Sequence, residues 1–152
     1  MQLSPNFSLR ELTDSATAIA RGIENVPPPE IMPALRTTAA GLEAVRSLLA
    51  NIVGHPVPVI VTSGYRSLRL NRLIGSRDTS QHVLGEAADI RAPQFGTPAQ
   101  IVATVAKSSI AFDQLIAEST QSGARWVHIS FGPRNRREVL EIDANGARVL
   151  GG

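Results

Sequence analysis

Residues 80–90 read Ser-Gln-His-Val-Leu-Gly-Glu-Ala-Ala-Asp-Ile, and they combine a histidine, a glycine and a carboxylate within one short segment. The glycine permits a sharp entry into extended backbone, so we predict a strand over residues 85–91. Alternate side chains of a strand point to opposite faces, which places on one face Gly85, Ala87 and Asp89. A carboxylate on a face of small residues, shortly after His82, leaves room for a bound group.

A second histidine lies in the apolar segment that begins at Arg125. A strand over residues 125–131 turns one set of side chains toward the core and another toward a surface or cleft. The core-facing set is Val127, Ile129 and Phe131, and the other set is Trp126, His128 and Ser130. Together His82, Asp89 and His128 offer two nitrogens and one oxygen. Three such ligands with a fourth position left for water are typical of a catalytic zinc site. The alternative from spacing alone is a structural histidine with an Asp–His hydrogen bond.

Composition narrows the chemistry further. The chain has 152 residues, no cysteine and three histidines, which excludes thiol catalysis, disulfides and thiolate metal sites. The third histidine, His55, lies between Gly54 and Pro56 in a predicted turn, and we interpret it as a solvated loop residue. A net charge of only +2 and 4% aromatic residues argue against a nucleic-acid partner.

The pattern of elements predicts an α+β fold, with a small antiparallel sheet and flanking helices. We expect a single domain over residues 1–152, with a helical part at about 7–52 and a part at about 57–150 that holds the sheet and the candidate ligands. The predicted helices cover 9–21, 30–52 and 68–74, and another begins at Thr97. The predicted strands cover 58–62, 85–91, 114–118, 125–131 and 138–142, and a last strand follows the turn at Asn145-Gly146.

Two helical patterns support these boundaries. Ser8 and Glu11 form a capping-box pattern, which begins the first predicted helix. The long helix over 30–52 has apolar residues at helical spacing, and its predicted buried face is Leu35, Leu42, Val45, Leu49 and Ile52.

Three blocks of the sequence, taken together, resemble a known family. They are Ser80-x-His82-x-x-Gly85-x-Ala87-x-Asp89, Trp126-Val127-His128-Ile129-Ser130, and Ser63-Gly64-Tyr65-Arg66-Ser67 followed by Asn71. The chain is similar to the zinc D-Ala-D-Ala carboxypeptidases and to the related phage endolysins that cleave peptidoglycan, which share a fold with the Hedgehog signalling domain. The resemblance implies a Hedgehog/DD-peptidase-like fold and one Zn²⁺ ion bound by His82, Asp89 and His128.

The resemblance also implies roles for other residues. Arg66 matches an arginine that contacts substrate or stabilises a developing oxyanion, for which a fixed guanidinium is well suited. The alternative is a structural role, in which Arg66 bonds to Asp89 or to a backbone carbonyl. Ser80, Tyr65 and Trp126 are expected near the substrate or behind the ligands.

One position departs from the family pattern. Many members have a glutamate three residues before the last ligand and use it as general base, whereas this chain has Arg125 there. Our candidate base is Glu118, because the strand over 114–118 is expected to pair with the strand that carries His128. Asp113 is the second choice.

The expected function is hydrolysis of peptide bonds in bacterial peptidoglycan, in the stem peptide or the cross-link, by a protein of phage or prophage origin. One alternative is a carboxypeptidase that removes a terminal D-Ala. The other is a virion or tail module with little activity, for which other virion proteins are partners. We find no transmembrane run and no secretory signal over residues 1–20. The expected setting is therefore cytoplasmic synthesis, with action on the cell wall after release or as a virion component.

Overall fold

A computed structural model describes residues 1–150, which form an α+β fold of four helices and eight strands. The helices are α1 (Ala16–Arg21), α2 (Met32–Val53), α3 (Leu68–Ile74) and α4 (Pro98–Ala106), and a 3-10 turn at Pro29–Ile31 leads into α2. The strands are β1 (Gln2–Ser4), β2 (Phe7–Ser8), β3 (Ile60–Ser63), β4 (Ala87–Arg91), β5 (Gln114–Ser119), β6 (Arg125–Ser130), β7 (Glu138–Asp143) and β8 (Gly146–Val149). The predicted α+β class is confirmed.

The main sheet has six strands in the order β3-β4-β6-β5-β7-β8. Its neighbours are antiparallel except for β5 and β7, which are parallel. After the β5–β6 hairpin the chain crosses to the far side of β5 and runs back as β7, which produces the one parallel pair. The strands β1 and β2 form a separate two-stranded hairpin.

Helices α2 and α4 share one hydrophobic core with one face of this sheet, with α4 against β5 and β6. Leu35, Leu42, Val45 and Leu49 are fully buried, as the helical spacing predicts. Ile52 is 56% exposed, so the predicted apolar face ends one turn early. The inner face of the sheet contributes small and branched side chains, namely Ala88, Ile90, Leu115, Val127 and Ile129. The opposite, outer face carries the alternate side chains of the same strands, among them Asp89, Glu118 and His128.

The predicted first helix over residues 9–21 is wrong in its first half. The capping box forms, since the Ser8 and Glu11 backbone N–H groups each donate to the other residue's side chain at 3.1 Å. However, only a turn follows, because the Leu12 carbonyl accepts the Tyr65 N–H at 2.7 Å instead of a helical N–H. The helix begins again at Ala16, where the Ser15 hydroxyl caps it by accepting from Ala18 N.

The later elements follow the sequence pattern closely. Helix α4 begins with a complete capping box between Thr97 and Gln100, with Pro98 at its first position.

None of the helices within residues 1–150 is long and apolar enough to cross a membrane.

Candidate metal centre

The outer face of the sheet brings the candidate residues together from adjacent strands. Asp89 on β4 lies directly opposite His128 on β6, and Ser63 on β3 lies opposite Asp89 on its other side. On β5, Glu118 lies opposite Trp126 of β6 and therefore on the same face as His128. This alternation agrees with the faces predicted from the sequence.

His82 comes from the loop before β4 and is fixed by a backbone group. Its Nδ1 lies 2.7 Å from the Gly64 carbonyl oxygen, which can only accept, so Nδ1 carries the proton. The Gly64 carbonyl is held in place because this residue packs against Leu12. A Cβ at position 64 would lie 2.3 Å from the Leu12 carbonyl oxygen, so only glycine fits there. The lone pair of His82 Nε2 is therefore left to face the site.

His82, Asp89 and His128 form a compact group, called here the His–Asp–His group. Each contributes one ligand atom, and these atoms lie within 4.8 Å of one another. Asp89 Oδ1 is 3.3 Å from His82 Nε2 and 3.1 Å from His128 Nδ1. The three side chains are 4%, 10% and 12% exposed for His82, Asp89 and His128, respectively, so water screens them poorly.

The electrostatics of this group favour a cation. Burial acts to raise the pKa of Asp89, but the hydrogen bonds and charges of His128 and His82 hold that pKa well below its usual range. Asp89 is therefore an anion at neutral pH. In the neutral form of His82 the Nε2 lone pair points at this anion, and only a proton or a metal ion between them makes the contact favourable.

Arg66 holds the Asp89 carboxylate in place through its second oxygen. Its Nη2 lies 3.4 Å from Asp89 Oδ2, which leaves Oδ1 for the histidines and a metal. Its Nε donates to the Ser63 hydroxyl at 3.2 Å, and its Nη1 to the Asn71 side-chain oxygen at 3.3 Å. Burial lowers the pKa of Arg66, against the opposing effects of Asp89 and Glu118. The arginine therefore combines the bond to Asp89, which was the structural alternative, with a place in the wall of the cavity.

A cavity of about 310 Å³ opens over the His–Asp–His group. Glu118, Trp126 and Ser80 line it together with Arg66. The Ser80 hydroxyl also accepts the His82 N–H at 3.3 Å. Tyr65 does not line this cavity; it lines a smaller one on the other side of Arg66.

Glu118 has the environment expected of a group that exchanges protons. Burial and the nearby Asp89 raise its pKa, while the opposing effect of His128 is smaller than that of burial. A raised pKa brings a carboxyl closer to neutrality, where proton transfer in both directions is efficient. The indole N–H of Trp126, opposite Glu118 in the sheet, is buried and has no partner at full hydrogen-bond geometry, but its proximity to Glu118 acts to lower the pKa of that carboxyl, against burial.

Arg125, which replaces the family glutamate, has no part in this site. It lies three residues before His128 on β6, and an odd spacing along a strand places the two side chains on opposite faces. Arg125 accordingly lines a separate depression beside α4.

Asp113, the second-choice base, does not line the cavity, because its carboxylate is held elsewhere. The side chain is fully buried and accepts from Arg136 Nε at 2.8 Å, Arg136 Nη2 at 3.0 Å and Gln81 Nε2 at 2.8 Å. These bonds, with Arg136 first, lower the pKa of Asp113 to about 2. Asp113 thus ties the loop of Arg136 to the residue that precedes His82.

Replacing Asp113 by asparagine is expected to lower the free energy of unfolding by about 2 kcal/mol at pH 7. The folded pKa is below the unfolded value of about 3.9, so the stabilisation is present above that pH and is lost as pH falls toward about 2. Urea unfolding of both proteins at pH 7, and at steps between pH 4 and 2, measures this difference.

The matched control is Asp143→Asn, which breaks a solvent-exposed pair with Arg148 at 2.6 Å and is expected to destabilise the protein less than Asp113→Asn does. Equal stabilities of Asp113→Asn and the unchanged protein at pH 7, or a difference that widens below pH 4, would contradict the role of Asp113.

The contacts that hold Arg66 and His82 in place were not predicted from the sequence. Asn71 orients Arg66, and Ser63 and the Gly64 carbonyl hold Arg66 and His82. All three belong to the block 63–71 that carries the resemblance. Ser63 and Asn71 lie within five residues of Arg66, whereas the Gly64 carbonyl and His82 are 18 residues apart, so no local spacing predicts that contact.

Comparison with known proteins agrees with this geometry. A family model described as Peptidase M15 matches residues 5–130, which is most of the chain and includes the whole His–Asp–His group. No curated protein matches the chain. Peptidases of this family depend on a bound metal, and the three ligand atoms provide a place for one. The chain therefore belongs to the M15 family of metallopeptidases.

Proposed function

We propose that this protein is a zinc-dependent peptidase that hydrolyses peptide bonds in bacterial peptidoglycan. The observation that carries the proposal is the His–Asp–His group, with two imidazoles and one carboxylate around a single point of an open cavity. Peptidoglycan as substrate, stem peptides as partners, and a phage or prophage origin rest on the likeness of the three sequence blocks to phage endolysins.

The donor set fits zinc. Two ligands bound to one tetrahedral zinc ion at about 2.1 Å lie about 3.4 Å apart. The distances from Asp89 Oδ1 to His82 Nε2 and His128 Nδ1 are 3.3 and 3.1 Å, close to that separation. Neutral imidazoles with a carboxylate also suit zinc better than they suit magnesium or calcium, which prefer oxygen ligands alone.

The residues around the His–Asp–His group have different roles in hydrolysis. A zinc ion held by His82, Asp89 and His128 would supply a water of pKa near 7 and a charge that polarises the scissile carbonyl. Glu118 takes the proton of the attacking water on its carboxylate and returns it to the leaving amine. Arg66 keeps Asp89 oriented through Oδ2, and its charge in the cavity wall stabilises the negative charge that develops on the carbonyl oxygen.

The shape of the site favours cleavage inside a chain over removal of a terminal residue. The cavity shares Arg66 and Ile74 with a depression on one side, and Ser80 and Glu118 with a larger groove on the other. An extended peptide therefore has space on both sides of the metal, which suits an endopeptidase acting on the stem peptide or cross-link.

Lysis of purified peptidoglycan in a gel tests the proposal. We expect a clear zone with the zinc-loaded protein, no zone after treatment with a chelator, and recovery when zinc is returned. Mass spectrometry of the released muropeptides identifies the cut bond and separates internal cleavage from loss of terminal D-Ala. Lysis that persists in chelator contradicts the metal mechanism, and no lysis at any pH with zinc bound supports the inactive virion module instead.

A further inference from the structure

A groove continues from the metal cavity across the outer face of the sheet. Ile116 on β5 lies beside His128, and Leu140 on β7 lies beside Ile116. Ile142 of β7 in turn lies beside Glu118, so the floor is apolar. The groove has a volume of about 730 Å³ and shares Ser80, Glu118 and His128 with the metal cavity. From His128 on β6 to Leu140 on β7 the floor spans two strand spacings, which are about 10 Å. This is the length of about three extended residues.

One wall of this groove is cationic. Arg77 lines it from the loop after α3, and Arg134 and Arg136 line it from the loop before β7. Glu118, at the metal end, is the one acidic residue that lines the groove within residues 1–150. The other polar lining side chains are neutral, so the wall has an excess of positive charge.

The nearby acids leave two of these arginines with free donors. Asp113 already accepts two hydrogen bonds from Arg136 and lies 3.6 Å from Arg134, whose side chain is 63% exposed. Glu86 also lies near Arg134, whose charge acts to lower the pKa of Glu86 against burial and Asp113. Asp78, next to Arg77 in the chain, is held by Arg72 at 2.7 Å. Glu138 accepts the side-chain amide of Gln114 at 2.7 Å. Arg77 is exposed and has no ion pair among the described residues.

The loop that carries Arg134 and Arg136 is also held in place before any ligand arrives. The backbone N–H of Arg136 donates to Asp113 at 3.1 Å, which fixes the loop at its middle. Arg137 donates to the Ala106 and Ser108 carbonyls at 2.9 and 3.1 Å and stacks over Phe112 at 4.4 Å. A fixed cationic wall loses less entropy on binding an anion than a mobile loop does.

We infer that this groove selects a peptide with a free carboxylate within about three residues of the cleaved bond, bound by Arg77 and Arg134 over an apolar floor. The inference rests on the proposed function, because it names a feature of the same substrate. Part of the groove, formed by β7 and the loop of Arg134 and Arg136, follows the end of the family match at residue 130, whereas Arg77 and β5 lie inside that match. The carboxylate is either an acidic side chain of the peptide or its C-terminus.

The test uses a synthetic cross-linked stem-peptide dimer in three forms, with all carboxylates free, with the side-chain carboxylates amidated, or with the C-terminal carboxylates amidated. Calorimetry measures the Kd of each form for zinc-loaded Glu118→Gln protein, which is expected to cleave the substrate about 10²- to 10⁴-fold more slowly than the unchanged protein. We expect one amidated form to bind about tenfold more weakly, which is the loss of about 1.4 kcal/mol, and that form identifies the source of the carboxylate.

Arginine variants assign the effect to this wall. In a Glu118→Gln background, Arg77→Gln with Arg134→Gln is expected to raise the Kd of the free form about tenfold and to remove the preference over the amidated form. The control Arg21→Gln, an exposed arginine at the end of α1, removes the same charge outside the groove and is expected to keep the preference. Arg77→Gln alone serves if the double variant does not fold, because the Arg77 side chain is exposed.

The outcomes separate this inference from the proposed function. Equal Kd values for all three forms, or a preference that survives in the arginine variants, overturn the inference even when the dimer is cleaved. Failure of zinc-loaded, otherwise unchanged protein to cleave any form overturns the proposed function, while the Kd ratios still decide whether the groove selects a carboxylate.

Discussion

Replacement of His128 by alanine is expected to abolish metal retention and to lower kcat/KM on peptidoglycan peptides more than about 1000-fold, or about 4 kcal/mol of transition-state stabilisation. His128 supplies one of three ligand atoms, and the two that remain leave the ion weakly held. The attacking water then loses its activation, and the scissile carbonyl loses its polarisation. Metal content per chain, measured after dialysis, and the rate on a defined substrate report the two effects separately.

The matched control for this variant is His55→Ala. His55 is an exposed loop histidine whose ring contacts only the Pro56 carbonyl, at 3.1 Å, so its loss should alter neither metal content nor rate. Unfolding by urea shows whether the His128 variant is folded. A folded His128→Ala protein that keeps one tightly bound zinc and full activity would mean that the ligand assignment is wrong.

Replacement of Glu118 by glutamine is expected to lower kcat by about 10²- to 10⁴-fold while metal content stays unchanged. Glutamine keeps the size and position of the side chain on β5, but it cannot accept a proton. In the unchanged protein, kcat/KM should rise with pH as Glu118 deprotonates, with a midpoint above that of an ordinary glutamate because burial raises its pKa. The variant should lose that limb of the pH profile.

The control for the glutamate variant is Glu24→Gln, an exposed carboxylate remote from the cavity lining. Comparison with Asp113→Asn is also informative, because that change is expected to cost stability through the Arg136 bonds, with zinc retained. Should Glu118→Gln keep its rate within a few-fold of the original, and keep the acid limb, then another group is the base.

The candidate ligands could be predicted from strand periodicity together with the resemblance of the three sequence blocks, which favoured a metal site over a structural Asp–His hydrogen bond. Strand periodicity alone places Asp89 and His128 on the face away from the core, and the sheet register then sets them opposite each other. Glu118 could be predicted for a similar reason, since its strand forms a hairpin with the strand of His128. The same periodicity explains why Arg125, three residues from His128, does not matter to the site.

The errors arise where tertiary contacts override local patterns. The capping box at Ser8 predicts a helix, but Tyr65 takes the Leu12 carbonyl that the helix needs. Asp113 is a carboxylate next to β5, as expected of a base, but its carboxylate accepts a hydrogen bond from Arg136, which is distant in the sequence. The parallel pairing of β5 with β7 depends on a crossover that no short motif encodes.

The central claim, one metal ion held by three named side chains, is tested most directly by diffraction from zinc-loaded crystals at the zinc absorption edge. The expected result is one anomalous peak per chain at about 2.0–2.2 Å from His82 Nε2, from a carboxylate oxygen of Asp89 and from an imidazole nitrogen of His128. An Asp89 carboxylate bonded only to Arg66 and the histidines, with zinc absent or bound elsewhere, would contradict the account.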